Sequence, residues 1–322
     1  MKQTRICKLL EIPYPILQGG MLWIATAELA AAVSNAGGLG VISPLAGMTG
    51  DGEPVENMAR QIEKTRRLTD KPFGVNIPLD LDYAGSLIAK ILDERIDIVI
   101  TAAGDPGYFT DVLKKSGKRV LHVVSTVSQA LRAQAKGVDA VIAEGAEAAA
   151  HNGANEIPLF SLIPQVVDAV SIPVIAAGGI ADARGFVAAQ ALGAEGVQLG
   201  TRFVAVEENI AHDNYKQAIL AAKDTDTIVT CRGLVPTRSL KTPFSLRLLE
   251  LERAGKTADE IMVYLGYRRN RIAQIEGDLS KGEAYCGASA GMIRQVLPAG
   301  RVIEQLVDGY DRITKELDNH QA

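Results

Sequence analysis

The sequence predicts an α/β protein that folds as a TIM (β/α)8 barrel with a small helical lid. Eight short apolar runs alternate with amphipathic stretches of helix length over the first two thirds of the 322-residue chain. Several runs are apolar on both faces, as a parallel sheet covered by helices requires. A right-handed βαβ repeat of eight units can close on itself, whereas an open doubly wound sheet seldom contains eight such regular units.

The elements follow in order along the chain. The predicted strands are residues 16–18, 41–43, 73–76, 98–100, 120–123, 140–143, 174–176 and 197–199. Between them, apolar residues recur at intervals of three and four, which predicts helices over 27–35, 55–67, 87–94, 127–136 and 186–192.

The pattern changes after residue 202. We expect a helix over 214–222, a breaker-rich turn over 236–243, short helices over 244–254, 258–265 and 269–276, and a final amphipathic segment, 296–317, that packs back on the barrel. The predicted organisation is therefore a barrel over 1–225, a helical lid over 226–279, and a C-terminal segment over 280–322 that returns to the barrel.

Composition excludes several classes of protein. Hydrophobic residues make up 47% and charged residues 22% of the chain, and the net charge of −4 offers no basic face for nucleic acid. No apolar run approaches the roughly 18 residues needed to span a bilayer, and no signal-peptide core is present. Cys7, Cys231 and Cys286 show no CxxC spacing, which argues against a disulfide scaffold or a zinc site. We expect a cytoplasmic protein without a metal, acting on a small molecule.

Barrel enzymes place their active sites at the carboxyl ends of the strands. Gln18, Gly19, Gly20 and Met21 follow the first strand, and glycines there let the backbone approach a flat ligand, although a plain turn is the alternative. Asn76 ends the third strand, where its amide could bind a ligand or cap a turn.

The last two strands carry the clearest signal. Gly178 and Gly179 follow the seventh strand, and Gly200 and Thr201 follow the eighth. Backbone N–H groups from these loops form an anion cradle, and barrel enzymes frequently bind phosphate at this pair of loops. The sequence therefore predicts a phosphate site here.

His151 lies in a loop of small residues after the sixth strand, at the same end of the predicted barrel. Its ordinary pKa range suits acid or base catalysis near neutral pH. On position alone, a structural and a catalytic role are equally open.

Five motifs in order resemble the nitronate monooxygenase family, formerly called 2-nitropropane dioxygenase. The flavin-dependent enoyl-[acyl-carrier-protein] reductase II enzymes are close relatives that share these motifs. The motifs comprise residues 18–21, 73–76, 144–153, 177–180 and 199–203. The resemblance implies an FMN-binding barrel in which His151 lies beside the reactive face of the flavin. The cofactor contacts that it implies are Gln18, Gly19, Gly20, Met21, Asn76, Ala150, Gly178, Gly179, Gly200, Thr201 and Ser289.

One departure from the family bears on the pocket. The family loop usually reads Gly-Gly before its histidine, whereas this chain has Ala149 and Ala150. The two added methyl groups predict a tighter pocket or a displaced loop.

Three functions stay open at this point. The first is oxidation of alkyl nitronates by FMN and molecular oxygen. The second is reduction of enoyl thioesters by NAD(P)H, in which Arg268, Arg269 and Arg271 meet an acidic acyl carrier protein, unless they form a solvated helix face. The third is flavin binding without turnover, as in a sensor. A homodimer is the commonest assembly for such a chain.

Overall fold

The computed structural model describes residues 3–48, 52–94 and 96–319. The strands are β1 (Ile16–Gln18), β2 (Gly40–Ile42), β3 (Phe73–Pro78), β4 (Ile98–Ala102), β5 (Arg119–Val124), β6 (Ala140–Glu144), β7 (Ala150–His151), β8 (Val174–Ala177), β9 (Gly196–Leu199), β10 (Thr227–Thr230) and β11 (Thr237–Leu240). All strands except β7, β10 and β11 run parallel in one sheet, in the order β1, β9, β8, β6, β5, β4, β3, β2.

The sheet closes into a barrel. Strand β1 pairs with β9, and on its other side Leu17 bridges Leu39, the residue before β2. The predicted (β/α)8 barrel is therefore confirmed, and each of the eight predicted strands is present with its ends moved by two residues or fewer.

The helices are α1 (Arg5–Leu10), α2 (Ala27–Asn35), α3 (Pro54–Leu68), α4 (Ala84–Asp93), α5 (Thr110–Lys115), α6 (Val127–Ala135), α7 (Leu159–Ala169), α8 (Ala183–Ala191), α9 (Thr201–Val204), α10 (Asp213–Ala221), α11 (Pro243–Arg253), α12 (Ala258–Leu265), α13 (Arg269–Arg271) and α14 (Ala299–Asn319). A single π-helical turn, Ile272–Glu276, continues α13. Helix α14 packs against α2 and α8 on the outside of the barrel, as the sequence predicts for the final segment.

The barrel interior is filled by side chains and is sealed at its amino-terminal end. Leu17, Leu121 and Ile142 of the strands form one buried cluster with Ile6 and Leu10 of α1. Because α1 covers that end, the carboxyl ends of the strands are left to carry the site.

The lid contains a small sheet that the sequence does not predict. Strands β10 and β11 form an antiparallel hairpin, and β7 pairs with the other edge of β11. The prediction of a turn over 236–243 is therefore wrong, because Thr237–Leu240 is a strand. Two prolines flank this segment, and the partners that make it a strand are distant in sequence.

Helices α11 and α12 complete the lid around a separate apolar cluster. Its buried members are Cys231, Phe244, Leu248 and Ile261. We propose that residues 226–279 act as a lid on this basis.

Two further findings concern the described residues alone. None of their helices is both long and apolar enough to cross a membrane. They contain no group of three or more His, Cys, Asp or Glu side chains arranged to hold a metal ion.

Candidate active site

The loop after β1 lies directly against β3. A Cβ atom placed on Gly20 would come within 2.6 Å of Cβ and Cγ of Asn76, so only glycine fits there. The side chain of Asn76 is partly exposed at the end of its strand. The structure thus brings together Gly20 and Asn76, which the sequence analysis identifies as two separate candidates.

Gln18 is fully buried, and its side-chain amide is used within the fold. Its Oε1 accepts a hydrogen bond from the N–H of Val41 at 3.0 Å, and its Nε2 donates to the carbonyl of Gly19. Any contact of Gln18 with a ligand would come from its backbone. Met21 forms the following turn, in which its carbonyl accepts hydrogen bonds from Ile24 and Ala25.

The loops after β8 and β6 touch each other. Gly178 has a φ of +95°, and a Cβ there would lie 3.0 Å from the nitrogen of Ala148 and from the carbonyl oxygen of Gly145. Gly179 follows with a φ of +72°. Within the described residues, no backbone carbonyl accepts a hydrogen bond from the N–H of either glycine or of Gly200. These donors are available for an anion.

The loop after β9 is held by the returning C-terminal segment. Oγ1 of Thr201 accepts a hydrogen bond from the N–H of Gly287 at 3.0 Å, and the N–H of Ala288 donates to the carbonyl of Glu147. Ser289 is buried in the same segment. Its segment thus lies beside the loops after β6 and β9.

His151 lies on β7 and is fixed to the lid by strand pairing. It pairs with Thr237, and Ala150 pairs with Arg238. The guanidinium of Arg238 also donates from Nε to the carbonyl of Ala146 at 2.9 Å. Asn152 closes the loop by donating from Nδ2 to the carbonyl of Ala148 at 3.1 Å. The loop that carries the histidine is therefore tied at both ends.

Ala150 occupies a backbone conformation that favours glycine. Its φ is +64°, in the left-handed region. The alanine therefore bears the strain of a conformation that glycine adopts freely.

The surroundings of His151 favour its neutral form. Burial of the ring lowers its pKa below the ordinary value, and the carboxylate of Asp80 acts in the opposite direction. The residue nevertheless keeps an exposed face. A neutral imidazole that is open on one side can accept a proton from a ligand.

Glu144 is a site residue that the sequence analysis does not single out. It ends β6, and alternation with Ala140 and Ile142 places it on the interior side of the barrel. Burial raises the pKa of its carboxyl to about 7. A buried glutamate at a strand end, on the face of two interior residues, is the signal that could have identified it.

Two more residues emerge only from the structure. Gln198 of β9 lies against Gly19, and its Oε1 is buried without a partner among the described residues. Tyr285 lies with its ring centroid 6.1 Å from that of His151. Gln198 shares the interior face with Gly196, a pattern visible in the sequence, whereas Tyr285 depends on distant pairing.

Comparison with known proteins identifies relatives along nearly the whole chain. A protein-family model described as nitronate monooxygenase matches residues 3–86 and 84–309. The probable nitronate monooxygenase of Staphylococcus aureus strain JH9 is 36% identical over 272 residues, 71% of this chain and 75% of that protein.

Two solved structures are also similar. FabK from Thermotoga maritima superposes with a TM-score of 0.93 and 42% identity, covering 99% of this chain and 100% of its own. Nitroalkane oxidase from Streptomyces ansochromogenes has a TM-score of 0.83 and 30% identity, covering 97% and 99%.

Proposed function

Because the chain belongs to the nitronate monooxygenase family, whose members are flavoenzymes, we propose that this oxidoreductase uses FMN and molecular oxygen to oxidise alkyl nitronates. The observation that carries the proposal is a juxtaposition at one end of the barrel. The N–H groups of Gly178, Gly179 and Gly200, which have no carbonyl partner among the described residues, lie on the same rim as His151, whose pKa is lowered.

The residues present fit a flavin mononucleotide. The N–H groups of the two glycine loops suit its phosphate. Gly20 lets backbone approach a flat ring, and the buried Oε1 of Gln198 lacks a partner among the described residues and could accept a hydrogen bond from the ring edge. When bound, FMN supplies the electron-accepting chemistry of the reaction.

His151 supplies the acid–base function in this proposal. Its lowered pKa keeps the imidazole neutral at pH 7, so that it can take the α-proton of a nitroalkane or donate one hydrogen bond to a nitronate oxygen. Proton transfer of this kind commonly contributes about 10²–10⁴-fold to the rate. The lid, which is paired with the histidine loop, limits access of water to the reacting atoms.

The test is oxygen consumption by flavin-loaded protein with a panel of alkyl nitronates and the parent nitroalkanes. We expect turnover in the wild type, and a His151→Asn variant that stays yellow but loses at least about 10²-fold in kcat. A loaded wild type that consumes no oxygen with any compound would contradict the proposal. Bound flavin without turnover of any substrate would instead support a sensor.

A second candidate is reduction of enoyl thioesters, which is favoured by the 42% identity to FabK. A carrier protein would then have to meet Arg268, Arg269 and Arg271 on the lid. These side chains are half-buried, and each has neighbours that hold it. Arg268 stacks on Tyr267, Arg269 lies over the ring of Phe244, and Arg271 pairs with Glu276.

Anaerobic stopped-flow absorbance separates the two candidates. Rapid bleaching of the flavin by NADH or NADPH, followed by reoxidation with a crotonyl or longer enoyl thioester, would favour the reductase. Absence of bleaching by either nucleotide would count against it. An acyl-carrier-protein substrate that reoxidises the flavin faster than its coenzyme A counterpart would support docking on the lid.

We also propose a cytoplasmic location and a homodimer. Support for the dimer comes from two large apolar side chains that are exposed, Phe160 on α7 at 70% and Tyr108 in the loop after β4 at 73%. Light scattering during size-exclusion chromatography would give the mass directly, and a monomer at micromolar concentration would contradict this assembly.

A further inference from the structure

Strand β11 sets His151 and Tyr285 side by side. His151 pairs with Thr237, and Tyr285 forms an antiparallel bridge with Ser239, two residues further along the same strand. Side chains two residues apart in a strand share a face, and their cross-strand partners share it as well. The imidazole and the phenol therefore project from the same side of the small sheet.

The two rings are in direct contact. Their centroids are 6.1 Å apart and their planes meet at 63°, an edge-to-face arrangement. This geometry is a preferred one for aromatic pairs. Among the described residues no hydrogen bond reaches the imidazole, so this ring contact is the most direct constraint on its plane.

Tyr285 is itself firmly held. Its backbone carbonyl accepts a hydrogen bond from the hydroxyl of Tyr215. On either side of it, the carbonyl of Ala284 accepts from the N–H of Leu240 at 2.8 Å, and the N–H of Cys286 donates to the carbonyl of Arg238 at 3.4 Å. Because its backbone is held in this way, the ring of Tyr285 can restrict the orientation of the imidazole.

We propose that Tyr285 is a positioning residue for His151, its ring fixing the plane of the imidazole so that one nitrogen points at the substrate. This role rests on the function proposed above for His151. Burial raises the pKa of Tyr285 well above its usual range, so the phenol stays protonated, and the proposed role belongs to its ring.

The charged groups around His151 and Tyr285 affect the pKa that a titration of His151 measures. Asp80, from the loop after β3, is the carboxylate that acts on His151. Glu283 is hydrogen-bonded to the side chain of Tyr285 and acts on the phenol. Removing the ring of Tyr285 admits water to the imidazole, while both carboxylates stay in place, so the pKa of His151 should rise toward 6.5.

The experiment is an NMR titration of the histidine ring protons in flavin-loaded protein, with the His151 signal assigned by its loss in a His151→Asn variant. Tyr285→Leu removes the ring, and Tyr285→Met removes it but keeps a longer, unbranched apolar side chain of similar volume. Tyr285→Phe keeps the ring and removes only the hydroxyl. Tyr310→Leu is the matched control, because it removes a ring on α14 that packs at a tilt against Phe186, outside the barrel.

We expect the midpoint of His151 to rise in Tyr285→Leu and Tyr285→Met, with kcat falling roughly 10-fold or more and KM changing less, since small misplacements of a reacting group can cost up to about 10²-fold. Tyr285→Phe and Tyr310→Leu should match the wild type in both respects.

Two results would overturn the inference. One is that Tyr285→Leu and Tyr285→Met both keep the wild-type titration midpoint of His151 and the wild-type kcat. The other is that Tyr285→Phe shows the same raised midpoint and lowered kcat as these two variants. The titration needs no turnover, so a shifted midpoint in a protein that oxidises no nitronate would refute the proposed function and leave the positioning role standing.

Discussion

At the scale of single residues, Ala150 stands where the backbone favours glycine. The loop needs a left-handed residue before His151, and alanine supplies it at a φ of +64°. Left-handed strain costs an L-residue about 1–2 kcal/mol, whereas glycine adds about 0.5–1 kcal/mol of unfolded-chain entropy. The strain is the larger of the two.

Ala150→Gly should therefore stabilise the protein by about 0.5–1 kcal/mol, measured by chemical denaturation. Ala149→Gly is the matched control. Because Ala149 is not among the residues with positive φ, the same change there should destabilise. Equal effects at the two positions would contradict the assignment of strain to Ala150.

Gly20 leaves room for the side chain of Asn76 because it has no Cβ atom. In Gly20→Ala the new Cβ would lie 2.6 Å from Asn76, which must move. We expect a loss of about 1–3 kcal/mol in stability and a lower content of bound flavin. Asn76→Gly in the same chain should restore the stability, because it removes both crowded atoms.

The control for Gly20 is Gly233→Ala. No atom lies within 4 Å of a Cβ placed at Gly233, so thermal unfolding and flavin content should stay at wild-type values. A Gly20→Ala protein that is as stable and as yellow as this control would show that the close approach is not required.

Glu283 makes the stability of the fold depend on pH. The residue is 3% exposed, and burial raises its carboxyl pKa to about 7. The unfolded chain loses this proton near pH 4.5, so the folded state loses stability as the pH rises from there through about 7. The full effect is about 3 kcal/mol at roughly 1.4 kcal/mol per pH unit.

A Glu283→Gln variant should lack that part of the pH dependence. In denaturation experiments between pH 5 and 8, its advantage over the wild type should grow with pH. Glu316→Gln, an exposed position on α14, serves as the control for removing one charge. A constant difference between Glu283→Gln and the wild type would show that the carboxyl is not forced to stay protonated.

At the scale of elements, the lid consists of two parts that differ in how they are anchored. Strand β11 pairs with β10, with β7 and with the segment around Tyr285. Helix α12, by contrast, buries only Ile261. Segments with few buried contacts open at lower free energy than paired core strands.

Amide hydrogen-exchange rates should therefore differ between the two parts of the lid. Amides of α12 are expected to exchange well before those of β11, and β11 should exchange together with β7 and the barrel strands. A uniform rate across both parts would contradict the division. The expected pattern identifies α12 as the part of the lid that can move while His151 stays in place.

At the scale of the whole molecule, the elements that could be predicted from the sequence are those with a hydrophobic pattern of their own. The eight barrel strands are short apolar runs between amphipathic stretches, and each carries its own signal. Strand β11 lacked one because its pairing partners are distant in sequence. The lid was thus predicted as helices alone.

The residues of the candidate site likewise fall into those that a local sequence pattern located and those that required the structure. The glycine loops and His151 follow predicted strands, so counting residues after each strand located them. Glu144 and Gln198 required knowing which face of a strand points into the barrel. Tyr285 required the register of β11, which no pattern near residue 285 contains.

The helix that seals the floor of the barrel has a kinetic consequence. Because Ile6 and Leu10 close the amino-terminal end of the barrel, we expect molecules to reach a bound flavin through the carboxyl end. An electron donor and an electron acceptor that share it have to take turns. Ping-pong kinetics, with each substrate inhibiting competitively against the other at high concentration, is the behaviour that this architecture imposes.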